Sequence, residues 1–307
     1  MQDDHEHSHG GHDHSHEPIT KVVPQQPEHV LRLIALGETL GRNGVTVVED
    51  GRLKADELNA KGLTKGLPYF EKRLMSMRAV LADKKVVSQD EVEQKKDELK
   101  KSQKGSDFEL RVMALTDLLV EKGVVTHEDI NERYEIVRAR TPMTGAKIIA
   151  RAWVDPEFKA KLKQDAKSAI TEIGPNLLDA NNGEPVDTWN ITRLEVIENT
   201  EKVRNVIVCT LCSCYPRGIL GEPPEWYTSE SYRERIVQEP RKVLAEMGTK
   251  LADDVETKVY DSSADIRYLV IPIRPKGTEG MTEDQLAELV TRDSLIGVTD
   301  PAAQPQK

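Results

Sequence analysis

Val206-Ile207-Val208-Cys209-Thr210-Leu211-Cys212-Ser213-Cys214-Tyr215-Pro216-Arg217 is the stretch on which the reading of this chain turns. A β-branched run feeds straight into C-x-x-C-x-C, which places three thiols on one tight loop at the end of a strand. These are the only cysteines among 307 residues. A disulfide framework uses an even number spread along the chain, so that role is excluded. A structural zinc site takes a fourth Cys or His from a second knuckle, yet outside the N-terminal tail the chain offers only His29 and His127. A redox C-x-x-C belongs at a helix start, without a third thiol. What remains is a metal held by the sulfurs of Cys209, Cys212 and Cys214 together with contiguous atoms, the nearest being the peptide nitrogens of Ser213 and Cys214. A reduced structural thiol knot is the alternative without chemistry.

Around this loop the texture is mixed α and β. Residues 193–198 alternate, residues 203–208 are β-branched, and residues 257–260 and 266–273 read as further strands. Residues 232–247 read as one helix ended by Gly248, and residues 281–290 as another capped by Thr282. Upstream, residues 146–170 are helical, with Pro156 opening a new helix after Asp155, whereas residues 175–192 are loop-like.

From residue 28 to about 140 the period is helical and it repeats. Phe70-Glu71-Lys72-Arg73-Leu74-Met75 realigns at an offset of 38 with Phe108-Glu109-Leu110-Arg111-Val112-Met113. Ser88 and Thr126 sit where the N-cap of the second helix of each copy should be, each followed three residues on by an acid, which is the capping-box pattern. A fainter copy lies at residues 31–45. Each repeat is a helical hairpin fit for packing against its neighbours or a partner. His127 beside a cap reads as structural, and the charge run at residues 95–104 as a solvated face.

The first seventeen residues hold six of the eight histidines, alternating with Asp, Glu, Ser and Gly. Such a composition builds no core and is expected to be a disordered tail with affinity for Co, Ni, Zn or Cu. The net charge of −10, from 43 basic and 53 acidic residues, argues against a nucleic-acid binder. No run reaches the roughly 18 apolar residues of a membrane span, and no secretory signal is visible, so a cytoplasmic protein is expected.

C-T-L-C-S-C after a β-run resembles the signature of the nitrile hydratase α-type subunits and the related γ-type subunit of thiocyanate hydrolase. The resemblance runs from about Arg111 through TGAKIIARAWVDPEFKAKL, VIENTEKVRNVIVCTLCSCYP, ILGEPPEWYTSESYRERIVQEPRKVLAEMG and DSSADIRYLVIPIRPKGTEGMTEDQLAELV to TRDSLIGV. It implies a low-spin trivalent cobalt, or alternatively iron, bound by Cys209, Cys212 and Cys214 and by the backbone amides of Ser213 and Cys214. It further implies Cys212 oxidised to sulfinic and Cys214 to sulfenic acid, both paired with arginines from a separate β-type subunit. Thr210 between the first two cysteines resembles the cobalt branch; the iron branch usually has Ser there. A trivalent ion with one open position would act as a Lewis acid on a carbon–nitrogen triple bond or acidify bound water. The Cys214 sulfenate is a candidate nucleophile or base.

Nitrile hydratases usually carry Trp three residues beyond the third cysteine, where this chain has Arg217. An indole would line a slot for a neutral nitrile, whereas a guanidinium would attract an anion. That resembles the thiocyanate hydrolase γ subunit, whose substrate is a linear anion. The competing structural role for Arg217 is pairing with the oxidised cysteines or with an acid such as Glu222. Two features depart from the family pattern: Asn190 replaces the usual glutamine nineteen residues before the first cysteine, and the hairpins of residues 28–105 are extra. Those hairpins look like the amino-terminal helices of the family's smaller partner subunits.

The expectation is thus an α+β chain. It has a His-rich tail at 1–27, helical-hairpin arms at 28–141, a layered α/β nitrile-hydratase-alpha-like metal domain at 142–300 and a tail at 301–307. It is expected to be the catalytic subunit of a hetero-oligomer, served by a metallochaperone for cobalt insertion. The alternatives are a cobalt-type nitrile hydratase subunit acting on nitriles and, outside enzymes, a cobalt-handling assembly protein.

Overall fold

The computed structural model describes residues 26–173, 193–210, 214–263 and 265–303. The His-rich tail up to residue 25, the stretch 174–192 with Asn190, and Leu211, Cys212 and Ser213 lie outside the described residues.

The first half of the described chain holds six helices: α1 Glu28–Arg42, α2 Val48–Ala60, α3 Tyr69–Asp83, α4 Gln89–Leu99, α5 Asp107–Glu121 and α6 His127–Ala139. They run as three helix–turn–helix repeats, so the fainter sequence copy is a full one. The helices that pack together, however, are α2 with α3, α4 with α5 and α1 with α6, a correction to the self-packed hairpins expected from sequence. The turns repeat the same backbone bond five residues back, from Val45 N–H to Leu40, Val86 N–H to Leu81 and Val124 N–H to Leu119. Each turn needs a left-handed residue, supplied by Gly44, Lys85 and Gly123. Ser88 and Thr126 cap α4 and α6 in reciprocal boxes with Glu91 and Asp129. The first copy has Val47 at that place, where only Asp50 accepts from the Val47 N–H, which accounts for its faintness in sequence. The repeats bury Leu33, Leu36, Leu40, Leu81, Leu115 and Leu119 against one another.

The charge run at residues 95–104 is not wholly a solvated face. Lys96 is 10% exposed and joins Arg78 and Arg111 on the Glu93 carboxylate, at 2.9, 2.7 and 2.9 Å. Burial pushes the Glu93 carboxyl up, but Arg111, Lys96 and Arg78 overcome this and hold it at about 2. A carboxyl depressed on folding stabilises the fold above its unfolded value and loses that contribution as pH falls towards about 2. Stability of Glu93→Gln, followed by urea unfolding between pH 5 and 2, should therefore fall less steeply with acid than that of the parent.

The second half opens with α7 Met143–Val154, α8 Pro156–Gln164 and α9 Ala166–Ile173. Asp155 caps α8 by accepting from the Phe158 N–H at 2.9 Å, with Pro156 at the first helical position. Four described strands follow: β1 Leu194–Glu198, β2 Val203–Val208, β3 Glu256–Asp261 and β4 Arg267–Ile271. They pair in parallel, β1 with β4 and β2 with β3, in registers that set Val196 against Leu269 and Val208 against Asp261. Parallel strands need crossovers, and the helices between β2 and β3 provide one. The single helix expected over residues 232–247 is two, Glu230–Gln238 and Pro240–Glu246. Pro240 has no N–H to continue the ladder, and Glu239 before it is forced to φ −138°, ψ 56°. The helix expected at 281–290 is shorter, Glu283–Ala287, and is capped by Thr282 as expected. Ile148, Ile149, Val206, Val208, Leu269 and Leu295 belong to the core of this half. Among the described residues no helix is long and apolar enough to cross a membrane.

Candidate metal centre

β2 ends at Val208, and Cys209 follows it, fully buried. The carboxyl ends of β2 and β3 lie side by side, so the loop leaving β2 emerges beside Asp261, the last residue of β3. Ligand sites in parallel sheets gather at this edge, because the loops there diverge and leave a crevice. Asp261 accepts from the Thr210 N–H at 2.9 Å and also from the Thr210 hydroxyl. Arg233 donates to the Thr210 carbonyl at 3.3 Å. The entry to the cysteine loop is therefore tied at both backbone groups of one residue, Thr210.

Its exit is tied as firmly. Cys214 is 7% exposed, and its carbonyl accepts from the Tyr227 hydroxyl at 3.0 Å. Tyr232 donates to the carbonyl of Ile207, on the strand just before Cys209, at 2.7 Å. Tyr215, Trp226, Tyr227 and Tyr232 pack edge to face or tilted, with centroids 4.9–6.0 Å apart. Burial raises Tyr215, Tyr227 and Tyr232 well above the usual phenol range, so all three remain neutral hydroxyls. Sequence reading missed Tyr227, Tyr232 and Asp261. A signal existed for the aromatics: in a chain with only 4% aromatic residues, Tyr215, Trp226, Tyr227 and Tyr232 crowd one short stretch.

Arg217 opens the short helix Arg217–Leu220. Its Nε donates to Glu222 Oε2 at 2.9 Å and its Nη2 to the Tyr69 hydroxyl at 3.0 Å. The Arg217 side chain is 24% exposed, while that of Glu222 is 5% exposed. Burial alone would lower the guanidinium, but the carboxylates of Glu222 and Glu38 hold the charge above its ordinary range. Glu222 was foreseen as a partner; Tyr69, 148 residues away in sequence, was not. Among the described residues Tyr215 Oη and Glu222 Oε1 are buried without a hydrogen-bond partner.

Of the expected ligand set, Cys209 and Cys214 are placed here, buried on either side of the loop, while Cys212 and Ser213 lie outside the described residues. Two buried sulfurs on a loop anchored at both ends fit a thiolate-bound metal, since soft sulfur donors shielded from water are what such an ion takes. Two other arginines of the region are engaged elsewhere. Arg204 binds Asp300 and the carbonyls of Gly297 and Thr299, and Arg241 binds the carbonyls of Leu251, Ala252 and Val255.

Residues 106–299 match the family model described as nitrile hydratase, alpha chain. The chain belongs to that family. Helices α1 to α4 precede the matched stretch. The chain is 54% identical over 160 residues to the low-molecular weight cobalt-containing nitrile hydratase subunit alpha of Rhodococcus rhodochrous, spanning 52% of this chain and 72% of that one. It is 47% identical over 170 residues to the thiocyanate hydrolase subunit gamma of Thiobacillus thioparus, spanning 54% and 69%. A crystal structure of a thiocyanate hydrolase mutant superposes with a TM-score of 0.58 at 43% identity, covering 66% of this chain and 93% of that chain. An Fe-type nitrile hydratase double mutant from Comamonas testosteroni Ni1 superposes at 0.59 and 38% identity, covering 67% and 97%. The family is one of enzymes acting on carbon–nitrogen triple bonds, and the mixed helical and strand fold expected from sequence is the fold of these neighbours.

Proposed function

We propose that this chain is the metal-bearing catalytic subunit of a thiocyanate hydrolase-like enzyme, converting thiocyanate and two waters to carbonyl sulfide, ammonia and hydroxide at a non-corrin cobalt centre. The observation that carries the choice of substrate is Arg217, three residues beyond Cys214 and held between Glu222 and Tyr69. Its charge is permanent and forked, suited to a small linear anion rather than a neutral nitrile.

Cys209, Cys212 and Cys214 would hold the metal, with the peptide nitrogens of Ser213 and Cys214. When bound, the trivalent ion supplies a Lewis-acid centre with an open position for water or substrate. The chain's own residues do the rest. Asp261 and Tyr227 fix the two ends of the loop, so Cys209 and Cys214 at those ends are set before substrate arrives. Arg217 draws the anion in and orients it, and the Cys214 sulfenate is the candidate nucleophile or base. Thr210 and the cobalt-containing relative favour cobalt over iron.

Oxidised Cys212 and Cys214 would carry buried negative charge, and an unpaired buried anion is strongly disfavoured. Arg204 and Arg241 are engaged as described, which supports a β-type subunit as the source of the pairing arginines, in a hetero-oligomer loaded by a metallochaperone. A cytoplasmic location fits a chain whose three cysteines serve one metal loop rather than a disulfide framework. The identity to a cobalt-containing nitrile hydratase subunit supports the second reading, a cobalt-type nitrile hydratase alpha subunit.

Mass spectrometry of the peptide spanning residues 209–214 should find two added oxygens on Cys212 and one on Cys214. Cobalt should persist after residues 1–17 are removed; metal lost with the tail would sink the metal-centre reading. The enzyme assembled with its β-type subunit should release ammonia and carbonyl sulfide from thiocyanate, whereas the isolated chain should be nearly inactive. Turnover of a small nitrile without thiocyanate hydrolysis would put the nitrile hydratase reading first.

A further inference from the structure

Helices α1 to α4 precede the family match, yet one of them reaches the candidate site. Tyr69 is the first residue of α3, entered from Pro68, and its hydroxyl accepts from Arg217 Nη2 at 3.0 Å. One turn on, the Lys72 ammonium lies 3.4 Å from Glu230, which opens the helix Glu230–Gln238 behind Tyr227. The start of α3 thus meets the second half at two points. The seat beneath it is built in as well. Glu38 of α1 takes both Nη atoms of Arg140 at 2.6 and 2.9 Å. Gly221, next to Glu222 in sequence, passes so close that a Cβ there would lie 2.9 Å from the Arg140 carbonyl.

A guanidinium carries five N–H donors in a fixed plane. Glu222 takes Nε and offsets the charge; a hydroxyl on Nη2 fixes the plane without adding a counter-charge. Among the described residues Nη1 has no hydrogen-bond partner, so it is the edge of the fork open to a ligand. We infer that Tyr69 is a positioning residue for Arg217, and that the extra N-terminal helices are a built-in wall of the anion pocket rather than a separate arm. The inference rests on the reading of Arg217 as the anion-facing group.

The test uses the cobalt-loaded enzyme with its β-type subunit, carrying Tyr69→Phe, Arg217→Met or both. Tyr69→Phe removes only the hydroxyl. It should raise KM for thiocyanate about 5- to 20-fold, as loss of one hydrogen bond to a charged group does, with kcat changed less than about twofold. KM for a small neutral nitrile should not move, and in the Arg217→Met background Tyr69→Phe should add nothing. Equal effects on both substrates, or an undiminished effect without Arg217, would overturn the inference. Should the parent enzyme hydrate nitriles and ignore thiocyanate, the functional reading falls, while the pairing is still decided by urea unfolding of the metal-free chain. There the Tyr69→Phe and Arg217→Met losses should be non-additive, and strict additivity would refute a positioning role.

Discussion

Arg217→Trp should lower kcat/KM for thiocyanate by about 30- to 1000-fold, which corresponds to about 2–4 kcal/mol of lost charge-assisted binding in a shielded pocket. Activity on a small neutral nitrile should hold or rise, because the indole exchanges a fixed charge for an apolar wall. The structure adds a complication and its remedy. Glu222 is 5% exposed and is held by Arg217 alone among the described residues, so the single substitution leaves a buried carboxylate without its cation. Breaking one side of a buried pair typically costs about 3–5 kcal/mol of stability, whereas replacing both partners with apolar groups is often neutral. The double variant Arg217→Trp/Glu222→Leu should therefore fold better than the single one and show the clearer switch towards nitriles. Steady-state kinetics on both substrates, with thermal unfolding of each variant, reads the two effects separately. Thiocyanate turnover that survives both substitutions would make Arg217 a structural residue.

What could be read from sequence was local. The offset of 38 between repeats, the Ser88 and Thr126 caps and the Asp155-Pro156 helix start all announce themselves within one turn of helix, and each is where it was expected. The strands were legible for the same reason, since alternation and β-branching are properties of consecutive residues. Their pairing was not. β2 and β3 are joined by a crossover of several short helices, and nothing in either strand names its partner, so Asp261 could not be placed beside Thr210 beforehand. Tyr69 was invisible for a stronger version of that reason. It sits at the start of an amphipathic helix whose pattern accounts for it fully, and only the docking of α3 beside Arg217 gives the hydroxyl a second role. Lys96 shows the converse error. A run of charges was read as solvated, but one lysine of the run turns inward to share Glu93 with two arginines.

Glu38→Ala should destabilise the protein by about 3–5 kcal/mol and, through the same contact, loosen the site. The Arg140 side chain is 2% exposed and Glu38 is 16% exposed, with both Nη atoms of the arginine on the one carboxylate. Arg133, itself buried, approaches the same carboxylate at 3.8 Å. Removing Glu38 takes away the carboxylate that these two shielded guanidinium groups share. The melting temperature should drop by roughly 10 °C at this chain length. The replacement of both partners, Glu38→Leu with Arg140→Met, should recover much of that loss. Glu38 lies on α1, and the Gly37 beside it packs under Met77 of α3, so α1 and α3 are in direct contact as one packed body. If that body seats Tyr69 against Arg217, Glu38→Ala should also raise KM for thiocyanate at temperatures where the protein is still folded, and the Tyr69→Phe background should show no further rise. A large fall in melting temperature with an unchanged thiocyanate KM would separate the two, leaving Glu38 as the clamp of the helical region and Arg217 positioned without its help.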